Sequence, residues 1–386
     1  MRPKSKDNSI KIFALASFLH DMGSDIVFSV WPVFVTQVLG ANMSILGLID
    51  GVGDALVSIS QAVSGYLSDR WGKRKIFVWV GYLFGGVARI GYALSPSWQW
   101  LIPFRMLDRS GKIRGSPRDA IVSDLSTNAD RGRNFGLLRA MDNLGAVFGI
   151  LISLFFLKYL GYTKLFLFAA IPSFIAVVML ILFTKEAGQE KRIFKGLSFA
   201  SFDRNLKTYM FLSALFSLGS FSYSFLIVAS QRSGIHIESV IGLYLLFTLV
   251  ASIFSYPFGK LSDSIGRKKI LYLSFLCWGL TTLLFIIWNT YLGLILAFIL
   301  YGLHRAALEP VQKTMVAEFS EKTVVASTLG AFQMVIGLCA LPASILAGIL
   351  WDTISPQAPF YLSLFLTAIA GILLTRVRET KKSSSP

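Results

Sequence analysis

Residues 65–75 read GYLSDRWGKRK, and residues 259–269 read GKLSDSIGRKK. Each copy sets one aspartate, Asp69 or Asp263, beside a glycine-punctuated run of cations. Each also separates two long apolar stretches. The second copy follows the first by 194 residues, about half of a 386-residue chain. The same displacement relates Gly136 to Gly330, and one of 193 residues relates Pro117 to Pro310. One offset sustained over three segments argues for two copies of a single unit. In each turn a glycine, Gly72 or Gly266, allows a sharp reversal that a side chain would strain.

The composition fits that arrangement to a membrane. Apolar residues make up 54% of the chain and charged residues 15%. Soluble domains carry roughly one-quarter charged residues. The 37 basic and 21 acidic residues leave a formal charge of +16. These cations cluster between apolar segments, as the positive-inside rule expects of cytoplasmic loops, which argues against a nucleic-acid partner. The two cysteines, Cys277 and Cys339, both lie in apolar runs and read as small packing residues. Neither a disulfide framework nor a Cys/His set with metal-site spacing is present in the pattern, and no cofactor is expected.

A spanning helix needs about 20 mostly apolar residues. Twelve such segments are expected, at roughly 11–38, 43–67, 76–95, 98–121, 134–157, 162–184, 207–231, 238–261, 270–288, 290–317, 324–350 and 357–376. The loops test this count. Lys and Arg are absent near 39–43, 95–98, 288–290 and 351–356. They crowd instead at 70–75, 131–133, 185–207, 267–269 and 376–382. Lys158, Lys164 and Arg232 are the exceptions. Both termini are therefore expected to be cytoplasmic. His20, Asp21 and Asp25 interrupt the first apolar run, so it reads as a transmembrane helix, not a signal peptide. The expected fold is an all-α integral membrane protein of two pseudo-symmetric six-helix bundles, residues 1–184 and 207–386. A polar connection, 185–206, joins them. Parallel halves of this kind are a transporter architecture.

The chain resembles the major facilitator superfamily over essentially its whole length. The pattern G-x-L-[SA]-D-[RK]-x-G-[RK]-[RK] between helices 2 and 3 is that superfamily's hallmark. Gly65, Asp69, Arg70, Gly72, Lys73 and Arg74 fill it, and Gly259, Asp263, Gly266 and Arg267 repeat it with Ser264 in place of Arg70. The resemblance implies that this turn is a gate hinge. Asp69 would latch onto neighbouring helices through a cation such as Arg118, beside Asp119, with the amino-half latch the stronger. The resemblance also implies that helices 1, 4, 7 and 10 line a central cavity. Arg105 matches the arginine of the superfamily's helix 4 pattern R-x-x-Q-G-x-G, with Asp108 and Arg109 departing from it. The run from Asp108 to Asp119 resembles a branch of efflux permeases. The Gly-Pro pair of antiporter helix 5 is incomplete, because Ile150 follows Gly149.

Ionisable groups at membrane depth are costly and face a cavity or one another. Helix 1 offers Asp21 and Asp25 on one face, with His20 adjacent. Helix 2 carries Asp50 and Asp54, helix 3 Arg89, and helix 5 Arg139 and Asp142. Helix 4 reads FRMLDRSGKIRGSPRDAIVSD. It sets Arg105 with Arg109 and Asp108 with Lys112, then Arg114, Arg118, Asp119 and Asp124. Ser110, Gly111, Gly115 and Pro117 let it bend or unwind. Helix 10 carries His304, with Arg305–Glu309 and Glu309–Lys313 at pairing distance along it. Helix 7 reads LGSFSYSF, uncharged, with Ser217, Ser220, Ser222, Tyr223 and Ser224 as hydroxyls and Phe221 and Phe225 as aromatic faces. The ordinary reading of most of these charges is structural ion pairing. The solute and proton candidates are Asp21, Asp25, Arg105, Asp108, Arg109, Lys112, Tyr223, His304 and Glu309. GLIDG, GYLFG and GAVFG are spacings that allow close helix packing.

A charged amino-side wall facing an aromatic, hydroxylic one suits an amphiphilic or anionic organic solute. A proton-coupled, alternating-access secondary transporter is expected, acting as a monomer among membrane lipids and directed to efflux. A proton-coupled importer of a metabolite or metal chelate, or a non-transporting receptor, is the alternative. The sequence lacks H-E-x-x-H, G-x-S-x-G and a P-loop, so no enzyme is expected.

Overall fold

The computed structural model describes residues 4–126, 131–184, 186, 202–288, 290–320 and 325–379, without the side chains of 4–8, 69, 131–132 and 325–327. Asp69 and most of the expected connection 185–206 thus lie outside the described residues or side chains. All the described secondary structure is helical. Each of the twelve expected segments falls on helix, but several are not single helices.

The first segment is α1 (Lys4–Phe28), α2 (Trp31–Val33) and a π-turn over Phe34–Val38. Pro32 removes an amide donor at this break. It is followed by α3 (Met43–Trp71) and α4 (Lys75–Leu94). The fourth segment is α5 (Trp98–Ser110), a 3-10 turn at Gly111–Arg114, and α6 (Gly115–Leu125). The helix is thus interrupted where a bend or unwinding was expected, but by a more tightly wound 3-10 turn at the Gly-rich centre of the segment. The fifth and sixth segments form one run, α7 (Arg131–Phe183), divided at Gly161 by φ +65° and ψ 174°. The seventh is broken into α8 (Arg204–Gly219) and α9 (Ser224–Arg232). Then come α10 (Ile237–Ile265), α11 (Arg267–Ile287), α12 (Tyr291–Phe319), α13 (Val325–Thr353) and α14 (Ala358–Leu374). Among the described residues nine helical runs are long and apolar enough to cross a membrane, one of them the 51 residues Arg133–Phe183.

The chain forms two compact units. One holds residues 1–41 and 52–195, the other 42–51 and 196–386. The N-terminal part of α3 therefore belongs with the second unit and its remainder with the first. In the first unit Phe13, Val78, Tyr82, Ile121, Ala176 and Leu180 make an apolar core between α1, α4, α6 and α7. In the second, Phe285 stacks on Phe360 at 5.1 Å and the Trp278 indole donates to Ser363 at 2.9 Å. The small-residue spacings lie where backbones meet. A Cβ on Gly145 would stand 2.3 Å from the Phe18 carbonyl oxygen, and one on Gly149 2.2 Å from that of Met22. On α3, a Cβ on Gly47 would stand 2.1 Å from the Ser344 carbonyl oxygen. Phe155, Leu182, Phe183, Ile253, Phe365 and Ile372 stay exposed, as lipid-facing residues do.

Candidate functional site

The hallmark turn recurs in structure as it does in sequence. Gly72 takes φ +63° and Gly266 φ +104°, a region closed to most side chains. Behind the first turn, Arg74 pairs with Asp124 at 2.5 Å, and Glu186 accepts from the Arg74 amide at 2.7 Å. The Lys75 ammonium donates to the Ile181 carbonyl at 2.9 Å. Behind the second, Arg267 pairs with Glu318 at 3.1 Å, and Glu379 accepts from the Lys268 amide. The Lys268 ammonium donates to the Thr375 and Val377 carbonyls, each at 2.9 Å. An acid thus caps one helix start in each repeat, and a lysine caps a helix end in return. Asp263 pairs with Arg267 at 2.5 Å, inside its own turn. Arg70 is exposed, with the Tyr66 hydroxyl 3.4 Å away.

The Asp69 side chain is not among those described, so its expected partner Arg118 is known by its other contacts alone. Arg118 donates to Ser17 at 2.6 Å and lies 3.3 Å from both Asp142 and Asp119. Arg139 closes the ring, 3.4 Å from Asp142 and 3.6 Å from Asp119. One turn nearer the helix 4 break, Arg114 reaches Asp21 at 3.5 Å and rests on the Tyr82 ring at 5.1 Å. Asp21 is therefore ion-paired, while Asp25, a turn further on, is half-buried.

Arg89 is buried among neutral groups. It donates to the carbonyls of Ala169 and His20, each at 3.1 Å, and to the hydroxyls of Ser24 at 2.6 Å and Ser173. The His20 Nδ1 lies 3.1 Å from the Ser173 hydroxyl, and its ring stacks on Tyr82. This network ties α1, α4 and α7 and gives His20 and Arg89 a packing role. Arg105 and Arg109 lie at the helix 1 break, their guanidinium carbons 5.0 and 4.6 Å from the Phe28 ring centre. Asp108 is 7% exposed and Lys112 half-buried; the face they share by spacing brings no contact between them among the described residues.

In the second unit, Tyr223 sits at the α8–α9 break, its ring 5.3 Å from that of Tyr244. His304 is fully buried on α12, among Phe216, Trp278 and Tyr301. Its Nδ1 is 3.0 Å from the Ser274 carbonyl oxygen, which places the ring proton there. Its Nε2 has no hydrogen-bond partner among the described residues. Glu309 pairs with Arg305, not with Lys313, and both side chains of that pair are largely exposed. A pocket of about 1090 Å³ opens near Arg204, Lys207, Glu318, Arg376 and Arg378, and none of the expected solute residues lines it.

One group went unselected in the sequence. Asp50, 1% exposed, accepts from the hydroxyls of Ser222, at 2.7 Å, and Ser224. At the same end of α3, Asp352 accepts from the Ser44 amide at 2.7 Å and its hydroxyl at 2.6 Å. The hydroxyl run of helix 7 was the available signal, but no spacing linked it to an acid so distant in the chain.

Helices 1, 4 and 7 are thus each interrupted beside buried polar groups, as in proteins that carry solutes across membranes. The sequence pattern described as the Major Facilitator Superfamily matches residues 13–249 and 209–386. The chain is 37% identical over 377 residues to an MFS-type transporter of Methanocaldococcus jannaschii, covering 95% of this chain and 94% of that one. It is 26% identical over 376 residues to the multidrug resistance protein MdtH of Photorhabdus laumondii, covering 91% and 89%. Among solved structures, a crystal structure of the nucleoside transporter NupG, determined as a single-residue mutant, superposes with a TM-score of 0.83 at 14% identity, over 96% of this chain and 100% of that one. The protein is a multi-pass integral membrane transporter and not an enzyme; it belongs to the Major Facilitator Superfamily.

Proposed function

We propose that the chain is a proton-coupled secondary transporter that exports a small amphiphilic or anionic organic solute by alternating access. In this reading twelve spans form two six-helix halves, 1–184 and 207–386, joined by a cytoplasmic connection at 185–206. Both termini are cytoplasmic, and the protein works as a monomer in contact with membrane lipids. Asp21, Asp25, Arg105, Asp108, Arg109, Lys112, Tyr223, His304 and Glu309 supply the solute and proton wall. Asp69, Arg70, Lys73, Arg74, Arg118, Asp119, Asp263 and Arg267 belong to the hinges.

The observation that carries this reading is the pairing of Asp21 with Arg114 across the helix 1 and helix 4 segments, beside the helix 4 break. A carboxylate held by a cation at membrane depth exchanges partners when it gains a proton. The efflux direction draws support from the multidrug resistance name of the Photorhabdus relative. Proteoliposomes loaded with a solute panel test it. Exit that accelerates when an inward proton gradient is imposed is the expected result. Indifference to the gradient removes proton coupling, and accumulation with the gradient assigns import.

A further inference from the structure

Two like charges share one aromatic ring at the break in helix 1. The Arg105 guanidinium carbon lies 5.0 Å from the centre of the Phe28 ring and 4.6 Å from that of Trp31. The Arg109 carbon lies 4.6 Å from the same Phe28 ring. Arg105 is buried and Arg109 half-buried. The aromatic face stabilises each cation, but holding two cations together where water is scarce is costly. Arg109 makes no ion pair among the described residues, and its Nε is buried without a hydrogen-bond partner. The neighbouring helix leaves room for the pair. A Cβ on Gly53 would stand 3.0 Å from the Arg109 Cγ and 3.3 Å from the Arg105 Nε.

We propose that Arg109, with Arg105 beside it, recognises the oxyanion of the transported solute, a carboxylate or sulfonate carried on a flat apolar body. A guanidinium presents parallel N–H donors that match a planar oxyanion in two-point contact. An entering anion supplies a counter-charge to Arg109 and engages its buried Nε. The half-buried Phe28 ring supplies apolar surface for the body of the solute, with the fully buried Trp31 backing Arg105. The proposal deepens the transport reading and rests on it, because the anion is taken to be the transported solute.

The test is equilibrium binding of 2-naphthoate, and of its cationic counterpart 2-naphthylmethylammonium, to the purified full chain in nanodiscs. Naphthoate is expected to bind and the ammonium ion is not. Arg109→Gln should weaken naphthoate binding about tenfold or more, as loss of a charge-assisted contact does, and Arg109→Lys should retain part of it. Gly53→Ala, which crowds both arginines, should also weaken it and serves as the test if Arg109→Gln fails to fold. Equal binding of the ammonium ion, absence of naphthoate binding, or binding unchanged in these variants overturns the proposal. Binding is read without a gradient, so the two readings fail separately. A chain that binds naphthoate but moves no solute refutes transport alone. One that moves only cationic solutes refutes the anion site alone.

Discussion

The buried carboxylate of Asp50 accepts a hydrogen bond from the Ser222 hydroxyl at 2.7 Å, and Ser224 donates to the same oxygen. Ser222 lies within the interruption between α8 and α9, where backbone amides have left the helical pattern, and Ser224 begins α9. A charged acceptor with two hydroxyl donors is among the stronger neutral-to-ion arrangements available to a membrane protein.

Asp50→Ala should therefore lower stability by about 1–3 kcal/mol, read as a drop in the thermal transition of the detergent-solubilised protein. A cycle of Asp50→Asn and Ser222→Ala isolates the contact. A coupling energy near zero would show that the serines hold the break without the acid.

The Arg118–Asp142 pair makes a sharper demand. Both side chains are largely buried, at 8% and 12% exposure. Asp142→Asn leaves a buried guanidinium short of its main counter-charge, at a cost of about 3–5 kcal/mol. Loss of the monodisperse peak in size-exclusion chromatography is the expected outcome. The double change Arg118→Met with Asp142→Leu should recover much of it, because an apolar pair needs no compensation. Arg139, 60% exposed in its side chain, should tolerate Ala at a cost of roughly 1 kcal/mol or less.

These pairs show where the sequence was legible. The repeat, the glycine turns at Gly72 and Gly266, and the helix 4 break at Gly111–Arg114 are local, and local chemistry writes them in the order of residues. Spacing along one helix also foretold Arg139 with Asp142 and Arg305 with Glu309. It could not foretell Arg118 with Asp142, or Asp50 with Ser222, because those partners lie on separate helices brought together only by packing. The expectation that Glu309 also serves Lys313 failed for a related reason. Two cations stood at equal distance along α12, and rotamer choice gave the carboxylate to Arg305.

Glu186 and Glu379 cap equivalent helix starts, and their effects should match. Glu186→Gln and Glu379→Gln should each cost about 0.5–1 kcal/mol, the usual worth of a charge at a helix N-terminus. The two sites lie in different repeats and share no partner, so their shifts in thermal transition should add. A marked excess in the double variant would show that the two turns act as one cooperative element.

Gly149 sets how closely α7 approaches α1. A methyl group there would stand 2.2 Å from the Met22 carbonyl oxygen, and backbone cannot yield as a flexible side chain does. Gly149→Ala should force the helices apart and cost about 1–3 kcal/mol. The same change at Gly136, where a Cβ meets nothing within 4 Å, should not lower the thermal transition, since Ala favours the helix over Gly, and provides the control. Equal shifts at the two positions would show that helix propensity, not backbone contact, governs them.

In the proposed reading Asp25 belongs to the solute and proton wall and Asp69 to the first hinge, and substitutions at the two test those roles separately. Asp25 lies one turn beyond the ion-paired Asp21 and on the same face of α1. If it carries the proton, Asp25→Asn cannot release it. Gradient-driven transport should then fall to background in proteoliposomes while expression and thermal transition hold. Exchange of solute across the membrane without a gradient should persist, because it needs no net proton movement. Asp69→Asn should behave oppositely, slowing both modes while leaving solute binding near its original strength. A variant at Asp25 that retains full gradient-driven transport would remove that residue from the proton path. An unchanged turnover rate at Asp69 would leave the first turn as a topological device alone.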